Sequence, residues 1–304
     1  MKKIAIIVNK NWETEPVLDS MTNSTFRPVQ LPFPQTLNSP KDGNNKMNVP
    51  RAVYNLMTGA VPTLQVSVWC IQDLMYFNIP PDPTKQSSSS SEEKYRVLPP
   101  VLAAENPDLV IAVGTAGSPT DISLNGSVVI GANFFIHDGN TNNPLSKLKS
   151  KDFGKVLPSN VNSNLFNLIS NDFKNAVESK FIKTPRNPAE HAVCIASKVY
   201  TALSSVNVTD YTEYNWVDPE AIAHFRQVEK KLPFNSLETT HGVIKLSTTK
   251  PIIFVSAITD QLEHFDVEVN PTQNYVPAFN AGIVLGQLVV ALNGFAQQGN
   301  GFGG

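Results

Sequence analysis

Only two cysteines occur in the chain, Cys70 and Cys194, each inside an apolar stretch, Ser67-Val-Trp-Cys-Ile71 and Ala192-Val-Cys-Ile-Ala196. That scarcity excludes a disulfide framework, and the setting reads as buried small hydrophobes rather than metal ligands. Charge of one sign is also missing: 24 Lys and Arg against 26 Asp and Glu leave a formal net charge of -2. The even spread gives no basic face for nucleic acid and no polybasic patch for a membrane, so a small, weakly charged ligand is the expected partner. No window is read as long enough for a membrane span. The apolar run after Met1-Lys-Lys is too short for a signal-peptide core and no small-residue cleavage site follows it, so a soluble, cytoplasmic protein is expected. No internal repeat is present.

What the sequence does hold is two apolar runs that stop on small or acidic residues, Asp108-Leu-Val-Ile-Ala-Val-Gly-Thr-Ala-Gly117 and Pro251-Ile-Ile-Phe-Val-Ser-Ala-Ile-Thr-Asp260. Continuous Val, Ile and Leu suggest strands buried on both faces, hence a largely parallel sheet covered by helices. Ligands bind beyond the carboxyl ends of such strands. The Gly114-Thr-Ala-Gly117 turn and Thr259-Asp260 therefore stand where a site belongs.

The length suits one large α/β domain over residues 1–296 with irregular insertions near 22–50 and 80–94, and 297–304 as a loose tail. The amino-terminal run Met1 to Asn9 reads as strand one, followed by a polar turn from Asn9 to Glu15 and a short helix from Pro16. Residues 22–50, rich in Pro, Asn and Gly, read as a long loop. A short helix is expected from Val49 to Met57 and a strand over Gln65 to Ile71. The serine-rich stretch Pro80 to Lys94 has a linker's composition. Val97 to Glu105 should be helical, and Ser127 to Ile136 a strand pair or one bent strand. An amphipathic helix is expected over Asn162 to Lys180. Ala192 to Ala196 and Ser205 to Val208 are strand candidates, and Pro219 to Lys231 a helix capped by Asp218. A helix over Leu237 to Leu246 and a long, nearly all-apolar helix over Ala278 to Phe295 complete the chain.

Four features could carry chemistry: the acids Glu13 and Glu15 after strand one, the Gly114-Thr115-Ala116-Gly117 turn, Glu238 in Ser236-Leu-Glu-Thr-Thr-His241, and Asp260 at a strand end. Each has a plain structural reading. Glu13 or Glu15 could be a solvated turn residue, the glycines a tight turn, Asp260 a helix cap and Glu238 a surface charge. His241 reads as a packed or capping histidine, since a metal would need more ligands than its neighbourhood offers.

Order and context are more specific than any one residue. The chain resembles the nucleoside phosphorylase and nucleosidase superfamily, most of all 5'-methylthioadenosine/S-adenosylhomocysteine nucleosidases. The resemblance runs through Lys3-Ile-Ala-Ile-Ile7, Asn106 to Gly117, Gly126-Ser-Val-Val-Ile130, Ile136-His-Asp138, Leu237-Glu-Thr-Thr240 and Lys250 to Asp260, with Glu238 and Asp260 22 residues apart. It implies a three-layer α/β/α fold around a mixed, mostly parallel central sheet. It also implies cleavage of a purine nucleoside with no metal or organic cofactor, in a homodimer. By this resemblance Asp260 would protonate the leaving purine. Leu237-Glu238 would bind the ribose hydroxyls through the carboxylate. Glu15, or failing it Glu13, would activate the attacking water, and Thr115, Ala116 and Gly117 would line the sugar side. Tyr211 and Tyr214 would lie against the base. His137-Asp138 takes no catalytic role.

The residue types fit the chemistry independently. Breaking an N-glycosidic bond builds positive charge on the sugar and negative charge on the base. Carboxylates near the first and an acid near the second therefore stabilise opposite ends of one transition state. Related phosphorylases carry a phosphate-binding arginine two residues before the first glycine of the turn, and here that residue is Ala112. The bidentate anion clamp is missing. Water is thus the expected nucleophile, with Arg27, Arg51 or Arg96 able to supply a phosphate site from outside the matched segments. A phosphate-dependent phosphorylase and a non-catalytic nucleoside-binding protein are the alternatives.

Overall fold

The computed structural model describes residues 1–39, 46–79, 91–118, 124–137, 155–184, 192–205, 235–238, 240–261 and 271–304. The expected helix over 219–231, the strand residues 206–208, Asp138, Tyr211 and Tyr214 lie outside them. The strands are β1 (Lys2–Val8), β2 (Thr36–Leu37), β3 (Ala52–Thr58), β4 (Val61–Cys70), β5 (Leu109–Ser118), β6 (Val128–His137), β7 (Val156–Leu157), β8 (Cys194–Ser205), β9 (Ser236–Glu238) and β10 (Ile252–Gln261). The helices are α1 (Asn11–Thr22), α2 (Ile71–Asn78), α3 (Ser91–Glu105), α4 (Asn171–Glu178), α5 (His241–Leu246) and α6 (Pro271–Gln297).

All ten strands join in one sheet. Strand β5 is its pivot. It pairs in parallel with β10 along its length, and on its other edge with β1 up to Val113 and then with β9 at Gly117. From β10 the ladder continues through β6 and β8 to β9, so β5, β10, β6, β8 and β9 close into a ring, with β1, β4, β3 and β2 extending from β5. Most paired residues stand in parallel ladders, and the β10–β6, β5–β9, β3–β4, β2–β3 and β6–β7 pairs are antiparallel. The mixed, mostly parallel sheet expected from the apolar runs is the one found.

Successive side chains of a strand point to opposite faces, and the core divides accordingly. Leu109, Ile111 and Val113 join Val17 and Met21 of α1, Phe173 of α4 and Ile283, Leu285 and Leu288 of α6. Val110, Ala112 and Ala116 join Leu74 of α2, Leu98 and Leu102 of α3 and Val243 of α5. Helices thus cover both faces of the sheet. α1 lies so close on α6 that a β-carbon at Gly282 would come within 1.9 Å of Ser20 Oγ and 2.5 Å of the Val17 carbonyl oxygen. Only glycine permits that approach, which fixes the helix that carries Glu13.

Several expectations are corrected. Residues Val49 to Met57 hold strand β3, not a helix, because Ala52, Tyr54 and Leu56 alternate inward. The segment Asn9 to Glu15 is the start of α1 rather than a turn, since the Glu13 carboxylate accepts the Lys10 N–H (2.8 Å) and sets the helix start before Pro16. The helix expected over Asn162 to Lys180 is broken: a 3-10 turn spans Ser163–Leu168, and Ser170 caps α4 by accepting the Phe173 N–H. Strand β8 begins at Cys194, inside the candidate over Ala192 to Ala196, and runs on to Ser205, where the second candidate starts. Leu237 and Glu238 belong to β9, and helix begins only at His241. Helix α3 starts at Ser91, inside the stretch read as linker. The tail is docked: Phe302 is buried against Phe295, and Gly303 bridges to Val161. Helix α6 is long and apolar enough over Asn274–Gln297 to cross a membrane, which the sequence reading overlooked, but 78% of its apolar window is buried inside the fold. Cys70 and Cys194 are buried free thiols, and burial pushes each up to about 12.

Candidate active site

The site forms where β1 leaves the edge of β5 and β9 replaces it. Strand β1 pairs with β5 as far as Val8 and Val113. The chain then turns into α1, which folds Glu13 back over the next residues of β5. Glu13 is buried, and its Oε1 accepts both the N–H and the hydroxyl of Thr115, at 2.7 Å each. Burial raises its pKa against the pull of those hydrogen bonds and of Lys10.

Two residues further along β5, Gly117 has Leu237 of β9 on one side and Asp260 of β10 on the other. With neighbouring strands about 4.8 Å apart, the backbones carrying Glu238 and Asp260 stand roughly 10 Å from each other across a glycine. The β10–β5 register slips between Ile258 and Asp260, so Thr259 is an extra residue there. Such a bulge re-aims the side chain that follows it. The Thr259 hydroxyl donates to Asp260 Oδ1.

Glu238 ends β9 and is buried. Its carboxylate accepts the Thr240 N–H at 2.5 Å and the His241 N–H at 2.7 Å, holding the start of α5. The Thr240 hydroxyl in turn accepts from Lys94 Nζ at 2.8 Å. Lys94 is a buried amine whose pKa burial and the nearby Lys10 lower to about 7, while Glu238 and Glu13 pull it back up. Burial drives Lys94 down and Glu238 up, while the attraction between them opposes both shifts. Sequence reasoning missed Lys94 by assigning it to a linker. The signal was there: Lys94 precedes Val97, Leu98 and Leu102 by helical spacings of three, four and eight, which puts it on the buried stripe of α3.

His241 is fully buried, with its ring stacked at 5.7 Å on Phe254. The sequence reading of a packed histidine holds, but neither ring nitrogen has a hydrogen-bond partner among the described residues. Burial and the nearby Lys94 lower its pKa from 6.5 to about 3. The unfolded chain therefore takes up this proton first as pH falls. Stability is expected to drop by about 1.4 kcal/mol per pH unit between 6.5 and 3 on this account alone. Thermal melts from pH 7 to pH 4 check it: His241→Leu should flatten the slope, and parallel slopes in the two proteins would refute it.

The other predicted site residues separate from this cluster. Glu15 is half-exposed and pairs with Arg51 at 2.5 Å, so it faces away from Thr115. Arg51 is committed to Asp73, Glu15 and Asn11. Arg27 lies over the Phe33 ring, and Arg96 lines a separate cavity with Trp69. None of the three arginines joins the described site. A cavity of about 620 Å3 between α1 and α6, lined by Asp19, Phe33, Tyr275 and Phe279, also contains none of the acids.

No protein-family model matches the sequence, and no curated protein does. Solved structures do. The 5'-methylthioadenosine/S-adenosylhomocysteine nucleosidase of Neisseria meningitidis, in complex with methylthio-immucillin-A, superposes with a TM-score of 0.53 at 13% identity, covering 95% of this chain and 99% of that one. The corresponding nucleosidase of Campylobacter jejuni gives 0.53 at 11% identity, with 97% and 100% covered. The chain has the nucleoside phosphorylase/nucleosidase fold. A futalosine hydrolase mutant of Helicobacter pylori superposes at a TM-score of 0.50 and 13% identity over 95% and 99% of the two chains. The nucleosidase fold thus serves more than one substrate among these neighbours, and at such identity the likeness extends to architecture alone.

Proposed function

We propose that this protein is a nucleosidase that hydrolyses the N-glycosidic bond of a purine nucleoside or 5'-thionucleoside. The observation that carries the reading is the placement of three acids around the end of β5: Glu13 on Thr115, and Leu237-Glu238 and Asp260 on either side of Gly117. In the proposed reaction Asp260 gives its proton to the departing base, whose ring nitrogen receives the bonding electron pair. Glu238 holds the sugar hydroxyls, and water held by Glu13 adds to the anomeric carbon and yields its proton to that carboxylate. Glu13 replaces Glu15 as the water-activating acid, because Glu15 is spent on Arg51.

Lys94 favours a second reading, phosphorolysis, since in its protonated form it is a cation beside the site. Burial lowers its pKa to about 7, however, which weakens its hold on a phosphate dianion at neutral pH. Incubation with adenosine, inosine and methylthioadenosine, with and without phosphate, separates the readings. Base release is expected without phosphate. Strict phosphate dependence would make the protein a phosphorylase, and tight binding with no release from any nucleoside would make it a binding protein. Homodimer assembly belongs to the same proposal, and sedimentation at micromolar concentration measures it.

A further inference from the structure

A buried imidazole carries one N–H donor and one lone pair, and leaving both unmet costs free energy that folded proteins rarely tolerate. His241 is fully buried with both unmet among the described residues. Its surroundings show where a partner would sit. A β-carbon built on Gly114 would lie 3.5 Å from His241 Nε2 and 3.6 Å from Glu13 Oε1. Two strong hydrogen-bonding atoms from different elements, α5 and α1, thus converge over one glycine at the end of β5. The backbone of Gly114 is not in the left-handed region that favours glycine. What glycine provides here is therefore space rather than a special conformation.

We propose that His241 Nε2 and Glu13 Oε1 together bind one hydroxyl oxygen in the space above Gly114, either that of the attacking water or that of the nucleoside sugar. The inference rests on the nucleosidase reading and adds to it a group that the resemblance did not supply. Glu13 Oε1 accepts from this oxygen once the Thr115 hydroxyl turns its own proton away, and His241 either donates its Nε2 proton to it or accepts the second hydrogen. For the water, the pair aims one lone pair at the anomeric carbon. For the sugar, it fixes the ring relative to Glu238, whose carboxylate lies 3.5 Å from His241 Nδ1. His241 is then a catalytic residue in the first case and a substrate-orienting one in the second.

Gly114→Ala is the sharpest test, because the added methyl meets its neighbours at ordinary contact distances and the fold should tolerate it. It crowds the space in which the proposed oxygen would sit. We expect the melting temperature to stay within a few degrees of the parent and base release to fall about 10- to 100-fold, the worth of a hydrogen bond to a charged group. His241→Leu should lose activity to a similar degree while melting higher at neutral pH, since it removes two unmet polar atoms from the core. The source of the oxygen shows in the kinetics. A fall in kcat at constant KM assigns water. A rise in KM, together with lost discrimination against the 2'- and 3'-deoxy nucleosides, assigns the sugar. Imidazole 15N shifts of the unmodified protein give a readout independent of turnover: the Nε2 resonance of His241 should move in Gly114→Ala. Full activity in both variants, or an unmoved Nε2 resonance, overturns the proposal. Failure of the nucleosidase reading is distinguishable from this, because there the unsubstituted protein itself would release no base.

Discussion

Asp260→Asn is expected to lower the rate of base release by two to four orders of magnitude while nucleoside affinity changes only a few-fold. The amide matches the carboxyl group in size and still hydrogen-bonds, but it has no proton to give, and general acid catalysis contributes about 10²–10⁴-fold. The position argues for a role in the reaction rather than in stability. Asp260 stands next to last in a mostly apolar strand, beside a bulge that changes which way it faces, and directly across from Gly117. Its hydrogen bond from the Thr259 hydroxyl survives the substitution in an Asn carbonyl, so the fold should be unaffected. Steady-state kinetics with methylthioadenosine and calorimetric binding of the same nucleoside measure the two quantities separately. A variant that keeps more than about a tenth of the activity would remove Asp260 from the acid role. A loss confined to affinity would make it a base-recognition residue.

How much of this was legible in the sequence depends on whether local patterning or tertiary packing decides each point. Asp260 could be read directly, because it stands near the end of a buried strand marked by a continuous apolar run, whereas Gly114 to Gly117, read as a turn, continue strand β5 to Ser118, where β10 and β9 still pair with them. Glu238 was found, but in the wrong element. Three residues of β9 carry too short a pattern to be told from the first turn of the helix behind them. Glu13 and Glu15 could not be separated from sequence. Two residues apart on a helix they face nearly opposite sides, so the choice turns on where α1 starts, and the Glu13 carboxylate itself sets that start. Strand β3 was misread because Pro50 suggested a helix N-terminus, whereas the alternation of Ala52, Tyr54 and Leu56 was the stronger signal. Lys94 and His241 illustrate a different limit. The helical spacing that puts Lys94 on the buried stripe of α3 was masked by the serine run before it, and a histidine among threonines has no distinguishing pattern, so the meaning of both comes from α3 and α5 packing on the same face of the sheet.

Arg51→Met is expected to destabilise the protein more than any other single change considered, by about 3–5 kcal/mol, because it strands a buried carboxylate. Arg51 is almost fully buried, with its Nε and Nη2 on the two oxygens of Asp73, Nη1 on Glu15 and Nη2 on Asn11. One guanidinium therefore joins β3's edge and α2 to the first turns of α1. For a chain of this size the loss corresponds to a melting temperature lower by about 5–8 °C. The pH dependence identifies the cause. Burial raises the Asp73 carboxyl above its ordinary 3.8 while Arg51 pulls it down. Without Arg51 the two largest opposing effects are gone, and burial dominates. A group whose folded pKa is raised stabilises fully below its unfolded value and less as pH rises through the folded one, so the deficit of Arg51→Met should shrink on acidification. Adding Asp73→Leu should restore much of the stability, since an apolar replacement of both partners leaves no buried charge. The same double variant then separates stability from positioning. Glu13 lies between Asn11 and Glu15, both held by Arg51, so a refolded but untethered α1 should still show reduced kcat. Recovery of stability and of full turnover together would mean that the arginine serves the fold alone.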